Sequence, residues 1–205
     1  RGLVDVYKRQ GRCGSKHMEA FESTRTNGLV TLNDSIALRY DIAEAAKADT
    51  VVVSVGAQSF RNVAAELAMG GFKGDLVLCM KGIETGSGKR LTEIAKEYLP
   101  DNDVAVWIGP GHVQEFTAGI PNCMVIDGTS DRVREKMVNA FSSPLIRFYY
   151  GFDLIGNEVG AAAKNVVGIA AGMLDGAGLS SLKGALMSRG TREVARLIHA
   201  MGGSE

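Results

Sequence analysis

Lys164 stands in a run of small and apolar residues that extends from Gly160 to Gly172. If the run is helical, four glycines lie four or eight residues from the lysine on the same face: Gly156, Gly160, Gly168 and Gly172. Glycine costs roughly 1 kcal/mol per helix-interior position relative to alanine, so their number indicates close approach by a ligand or another backbone. Burial disfavours the charged form of a lysine, which would let a lysine in such a groove accept a proton near neutral pH.

A structural interpretation of the same run is open as well. Glycines at four-residue spacing also let two helices pack tightly against each other. A lysine can extend its stem along apolar surface while its ammonium group reaches water. Proton transfer and plain packing are therefore both compatible with Lys164 when this segment is taken alone.

Glycine-containing turns follow three apolar segments farther upstream: Gly56–Ser59, Lys81–Gly82 and Gly109–Gly111. Glycine lets the backbone come close to a ligand, and Lys81 would place a positive charge beside it. Taken singly, each turn is better explained as an ordinary loop with a solvated lysine. A shared position at one edge of a sheet would favour a binding site instead.

The segments before these turns are short and rich in β-branched or apolar residues, as strands buried on both faces of a parallel sheet are. The predicted strands are Thr50–Val55, Leu76–Met80, Val104–Ile108 and Cys123–Asp127. The predicted helices that alternate with them are Phe60–Met69, Lys89–Tyr98, one that begins at Val113, and Asp131–Ser142. Farther upstream we predict a helix at His17–Thr26, a short strand at Val30–Leu32 and a helix at Asp41–Ala48 with Asp41 as its N-cap.

Strands that alternate with helices predict an α/β fold with a Rossmann-like, doubly wound parallel sheet. Ligands collect beyond the carboxyl ends of the strands in such sheets, where the three turns would lie. From Gly151 to Gly202 the pattern is helical throughout. We therefore expect an incomplete dinucleotide-binding domain at 11–149 and an incomplete all-α domain at 150–205, with Lys164 near their junction. Residues 1–10 lack a clear pattern, and we expect them to be non-native or unassigned.

Composition excludes several classes of partner. Lys plus Arg and Asp plus Glu both number 23 in the 205 residues, so net charge gives no reason to expect nucleic acid or an anionic membrane. Cys13, Cys79 and Cys123 are odd in number and form no Cys-x-x-Cys pair, which argues against a disulfide framework and a metal site and favours a reducing cytoplasm. No signal peptide or membrane-spanning helix is expected either.

Three segments in this order and spacing resemble the bacterial NAD(P)-dependent glycerol-3-phosphate dehydrogenases: Lys81–Arg90 (KGIETGSGKR), Ile108–Glu115 (IGPGHVQE) and Asp153–Asn165 (DLIGNEVGAAAKN). Two further segments support the likeness, which runs from about Gly11 to Gly202: His17–Asn27 and Lys183–Gly190. The resemblance implies interconversion of sn-glycerol 3-phosphate and dihydroxyacetone phosphate with NAD or NADP, in phospholipid synthesis. It implies small-molecule partners, and a homodimer is a possible assembly.

The resemblance also assigns roles to individual residues. Lys164 matches the general acid/base, which removes the C2 hydroxyl proton while hydride leaves for the nicotinamide. Lys81 matches a lysine that contacts both substrate and cofactor. Substrate contacts are further implied for Gly109, Gly111 and Asn165. Cofactor contacts are implied for Val113 and Arg12.

Departures from the family pattern limit these expectations. Family members usually have serine at the position of Gly111 and proline at that of Gly56. No Gly-x-Gly-x-x-Gly turn opens the chain, so we expect the first strand and its phosphate-binding loop to be missing. The Leu-Gly-Asp and Ser-Arg-Asn motifs that hold the substrate phosphate in the family are also absent. A related 3-hydroxyacid or sugar-acid dehydrogenase, or an inactive fragment that binds no dinucleotide, are the alternatives.

Overall fold

A computed structural model of the chain describes residues 5–7, 16–26, 28–39 and 41–204, and gives side chains to all but 5–7 and 16–19 among them. The strands are β1 Asp5–Tyr7, β2 Ala37–Arg39, β3 Thr50–Val53, β4 Asp75–Leu78, β5 Val104–Ile108, β6 Asn122–Gly128 and β7 Ile146–Tyr150. The helices are α1 Lys16–Thr24, α2 Ile42–Ala45, α3 Phe60–Met69, α4 Leu91–Tyr98, α5 Val113–Thr117, α6 Asp131–Phe141, α7 Leu154–Gly176 and α8 Ser180–Ala200. Arg12, predicted to contact the cofactor, lies outside the described residues.

Five strands form the main sheet in the order β3-β4-β5-β6-β7, and β1 pairs with β2 in a separate parallel ribbon. Neighbouring strands are parallel except β5 and β6, which are antiparallel. The predicted α/β class with a mainly parallel, Rossmann-like sheet is thus confirmed, with one antiparallel pair that was not expected. Helix α5 has five residues and rises only about 7.5 Å, too little to carry the chain back along the roughly 16 Å of β5.

The core lies on both faces of this sheet because successive side chains of a strand point to opposite sides. On β4, Leu76 and Leu78 pack with α3 and α4, whereas Val77 packs with α6 on the other face. All three side chains are almost completely buried. Helices therefore cover both faces of the central strands, which explains why these strands are continuously apolar.

Three of the described strands were missed, and one predicted strand is wrong. The missed strands are β7, at the edge of the main sheet, and β1 and β2, which form the separate ribbon. On β7 only Phe148 is buried while its neighbours are exposed, so the apolar run that identifies a central strand is lacking. At Val30–Leu32 the chain forms only a bridge between Thr31 and Thr26. The predicted helix after Asp41 ends early, at Ala45, but the Asp41 carboxylate accepts from Ala43 N at 2.9 Å, as an N-cap should.

Beyond Tyr150 the described chain consists of α7 and α8, which pack against each other. They are in close contact at Gly190, where a Cβ would lie 2.8 Å from Val167 Cγ2. Among the residues that the structure describes, no helix combines the length and apolarity needed to cross a membrane.

Candidate active site

The turns after β3 and β4 are joined by the carboxamide of Gln58. Its Nε2 donates to Ile83 O at 2.9 Å, and its Oε1 accepts from Thr85 N at 2.8 Å. The backbones are so close that a Cβ on Gly82 would lie 2.8 Å from the Cβ of Ala57. The first two of the three predicted turns are therefore neighbours at the carboxyl edge of the sheet.

Lys81 connects this pair of turns to the third. Its Nζ donates to the carbonyl oxygen of Gly109 at 3.2 Å. Gly109 packs on β6, where an added Cβ would lie 2.7 Å from Met124 Cγ and 3.1 Å from Met124 Cα. At Gly111 an added Cβ would be 3.1 Å from the flexible Cε end of Met124. Close packing explains the glycine at 109, whereas Gly111 is less constrained.

The Lys81–Arg90 loop is held in place by ion pairs and a backbone bridge. Glu84 accepts two hydrogen bonds of 2.8 Å from the guanidinium of Arg61 on α3. These bonds, with help from the Ser87 hydroxyl, lower the pKa of Glu84 to about 2. Ile83 and Arg90 form an antiparallel bridge that closes the loop. Lys81 therefore extends from a loop with defined ends.

The first turns of α7 are anchored at three points. Asp153 caps the helix by accepting from Gly156 N at 2.9 Å. Asn157 donates to the buried carboxylate of Asp127, at the end of β6, at 2.7 Å. The next residue, Glu158, accepts from Arg90 Nη1 at 2.7 Å and from Thr92 N at 3.0 Å.

Desolvation raises the pKa of Glu158, although the bonds from Thr92 and Arg90 oppose that rise. Sequence reasoning missed Asn157 and Glu158 as functional candidates. The signal available was a carboxamide and a carboxylate side by side in an otherwise small and apolar helix. Such groups are rarely buried unless they are paired.

Lys164 lies on α7 with an exposed side chain, so the described residues do not enclose it in a groove. The two glycines that follow it are not packed closely, since an added Cβ would meet nothing within 4 Å at Gly168 or Gly172. Only part of α7 is covered by α8, and Val166 and Ile169 nearby are also exposed. The pKa of Lys81 is lowered, first by desolvation and then by the charge of Lys164, so the two ammonium groups interact electrostatically.

The predicted site residues are thus brought together in part. Lys81 bonds to Gly109 of a neighbouring loop, and the charge of Lys164 on α7 acts on Lys81. Asn165 follows Lys164 with an exposed side chain, and Val113 begins α5 with an exposed one. Among the described residues, no group of three or more His, Cys, Asp or Glu side chains is arranged to hold a metal ion. The ammonium groups of Lys81 and Lys164 can attract an anionic ligand. A lysine can also exchange a proton with a bound hydroxyl or carbonyl group.

Comparison with known families gives two matches along the chain. Residues 4–133 match the model of the NAD-dependent glycerol-3-phosphate dehydrogenase N-terminus, and residues 153–205 match that of the C-terminus. The first match alone covers more than half of the 205 residues.

Curated relatives and solved structures agree with these matches. A glycerol-3-phosphate dehydrogenase [NAD(P)+] of Bradyrhizobium sp. is 38% identical over 204 residues, which are 97% of this chain and 61% of the relative. The enzyme of the same name from Agrobacterium fabrum is 43% identical over 129 residues, 62% of this chain and 39% of that one. The glycerol-3-phosphate dehydrogenase structure from Coxiella burnetii has a TM-score of 0.84 at 23% identity, over 93% of this chain and 61% of that one, and supports the fold. The chain spans about 60% of the length of the first of these relatives.

Proposed function

The chain belongs to the NAD-dependent glycerol-3-phosphate dehydrogenase family, and we propose on this basis that it serves the NAD(P)-linked interconversion of sn-glycerol 3-phosphate and dihydroxyacetone phosphate. The observation that carries the proposal is the hydrogen bond from Lys81 to Gly109 O at the carboxyl edge of the sheet, with the charge of Lys164 acting on the same ammonium group. Ligands of open α/β sheets bind at this edge.

Lys164 is the general acid/base in this proposal. As a neutral amine it takes the C2 hydroxyl proton of glycerol 3-phosphate while the C2 hydride leaves, which yields the ketone. In the reverse direction its ammonium group returns the proton to the carbonyl oxygen as C2 receives hydride. The nicotinamide dinucleotide, when bound, supplies the hydride acceptor or donor.

Lys81 has a different role because its ammonium group is already directed at Gly109 O. It adds positive charge next to the reacting oxygen and so favours the negative charge that develops there. Gly109, Gly111 and Asn165 would contact substrate, while Arg12, Lys81 and Val113 would contact cofactor.

The described residues fit the reacting end of a dinucleotide better than its diphosphate. Near the sheet edge, the close packing of Ala57 on Gly82 and of Gly109 on Met124 leaves backbone and the Lys81 ammonium to meet a ligand. The sequence, however, has no Gly-x-Gly-x-x-Gly turn to bind the diphosphate. Dinucleotide affinity therefore has to be measured on this chain directly.

Exchange of Lys164 for methionine tests the assignment. We expect the rate of dihydroxyacetone phosphate reduction with NADH or NADPH to fall by several orders of magnitude with little change in cofactor affinity, since general acid–base catalysis contributes roughly 10²–10⁴-fold. Lys73→Met is the matched control, because Lys73 is an exposed lysine just before β4, at the opposite edge of the sheet. Near-normal turnover in the Lys164 variant would contradict the proposal.

Two further measurements separate the alternatives. Equilibrium binding of NADH and NADPH to the unmodified chain distinguishes an enzyme from a fragment that binds no dinucleotide. Turnover with phosphorylated and with carboxylated alcohols distinguishes glycerol 3-phosphate from a hydroxyacid substrate. Failure to bind either dinucleotide would overturn the proposed activity for this chain.

Location, assembly and domain limits complete the proposal. The sparse and widely spaced cysteines, of which Cys79 and Cys123 are free thiols, support a cytoplasmic setting. Exposed apolar side chains on α7, such as Val166 and Met173, support burial against further protein, for which a homodimer is one form. We place the domain limits at 11–149 and 150–205. Light scattering tests the assembly, and limited proteolysis tests the domain limits.

A further inference from the structure

The Lys81–Arg90 loop contacts helix α7 at its end, where Arg90 forms an ion pair with Glu158. At its start, the ammonium group of Lys81 is subject to the charge of Lys164 on the same helix. The bridge between Ile83 and Arg90 ties the two ends of the loop together. Two charge pairs therefore relate the loop to α7. Lys81 and Lys164 repel each other, and Arg90 and Glu158 attract each other.

The attractive pair is the better buried of the two. Glu158 is 8% exposed, and its carboxylate is bonded to Arg90 Nη1, Thr92 N and Thr92 Oγ1. Lys81 and Lys164 are both exposed, so water screens their repulsion in part. The buried pair has a fixed geometry, whereas nothing in the contact between the two lysines holds them together.

Helix geometry transmits this anchoring to the lysine. Glu158 and Lys164 are six residues apart on one helix, a rise of about 9 Å. A helix of this kind is stiff over so short a distance, so the setting of Glu158 fixes the height and rotation of Lys164. Gly160, between them, has no side chain that could wedge the helix away from its neighbours.

We propose that Glu158 is a positioning residue, whose ion pair with Arg90 holds α7 where Lys164 faces Lys81. The consequence of this positioning for catalysis rests on the proposed function, whereas the positioning itself does not depend on it. Glu158→Gln keeps the size of the side chain but leaves the Arg90 charge without its partner, so it costs stability, and circular dichroism must show that the variant remains folded. A loss of position without a loss of fold is the expected signature.

The distance between the two lysines can be followed without turnover. Disuccinimidyl glutarate cross-links lysines that are close in space, and mass spectrometry of peptides counts the Lys81–Lys164 product. In Glu158→Gln and Arg90→Gln we expect severalfold less of this product, and in Arg90→Lys, which keeps the positive charge, a partial recovery. Asp175→Asn is the matched control, since it removes another α7 ion pair, to Lys183, at the far end of the helix; its yield should stay unchanged.

A second readout reports on charge instead of distance. When Lys164 moves away, the pKa of Lys81, followed by the titration of its ¹³Cε resonance, should rise toward the ordinary lysine value in Glu158→Gln. An unchanged cross-link yield and an unchanged Lys81 pKa in a folded Glu158→Gln chain would overturn the proposal. If that variant does not fold, the contrast between Arg90→Gln and Arg90→Lys decides, and equal yields in these two overturn it.

These outcomes are independent of the proposed activity. Loss of the cross-link in Glu158→Gln together with normal turnover in Lys164→Met would leave the positioning role intact and refute the catalytic one. An unchanged cross-link together with inactive Lys164→Met would do the reverse.

Discussion

The carboxamide of Asn157 donates a 2.7 Å hydrogen bond to the carboxylate of Asp127, which is 1% exposed at the end of β6. The other carboxylate oxygen of Asp127 accepts from Gly128 N at 2.7 Å. Arg134 lies 3.6 Å away and completes the neutralisation of the charge. The first turn of α7 is therefore fixed to the sheet itself, six or seven residues before the lysine on which the proposed chemistry depends.

Asn157→Ala should destabilise the fold by about 1–3 kcal/mol, because it leaves an oxygen of a buried carboxylate without its donor. Urea unfolding of the two chains measures the difference. Asn165→Ala is the control, since Asn165 is a carboxamide on the same helix with an exposed side chain. An equal loss of stability in the two variants would show that the bond to Asp127 does not anchor α7.

Gly109→Ala should also destabilise the fold, by about 1–3 kcal/mol, because its Cβ would lie 2.7 Å from Met124 Cγ in a packed region. Gly111→Ala should cost less, since its Cβ would meet only the mobile end of the same methionine. Thermal unfolding compares the two, and a larger loss at 111 than at 109 would contradict the packing described here. The Lys81 bond to Gly109 O should weaken along with the fold.

Glu84→Gln should remove part of the acid sensitivity of the chain. The pKa of Glu84 is lowered from 4.5 to about 2 by the bonds from Arg61 and then Ser87. A lowered carboxylate pKa gives stability that is present above the unfolded value and is lost as pH falls through the folded one. The unmodified chain should therefore lose more of its melting temperature between pH 4.5 and pH 2 than Glu84→Gln does. Glu135→Gln, on the exposed face of α6, should follow the unmodified chain.

The contribution of Glu158 to stability should depend on pH in the opposite direction to that of Glu84. Desolvation raises its pKa above 4.5, so its stabilising contribution is full below that value and is lost as pH rises through the folded pKa. The stability advantage of the unmodified chain over Glu158→Gln should thus shrink from acid pH toward neutrality. Urea unfolding at several pH values measures the difference in unfolding free energy between the two chains. If this difference increases toward pH 7, the ion pair with Arg90 affects the pKa of Glu158 more than desolvation does.

Elements with a strong local pattern agree with the sequence predictions. Phe60–Met69 and Val104–Ile108 have the bounds expected from their apolar residues, because the helix buries one face, including Phe60 and Leu67, and the strand buries its first three side chains. Strand β7 was missed because an edge strand pairs on one side only and needs no apolar run. The antiparallel direction of β6 relative to β5 could not be predicted, because it depends on whether the connecting helix α5 is long enough to return the chain to the start of β5.

The sequence by itself determined the class of fold, the family, and the residue types that could do chemistry: Lys81, Gly109 and Lys164. The fold class follows from the alternation of strand and helix patterns, whereas the family and the roles of these residues follow from the resemblance of three motifs to known dehydrogenases. Only the tertiary structure decided that Lys164 is exposed, and that α7 is held through Asn157 and Glu158 by partners 30 and 68 residues away. Burial and ion pairing across such separations depend on which surfaces meet after the sheet has formed, and no local pattern in the chain encodes that meeting.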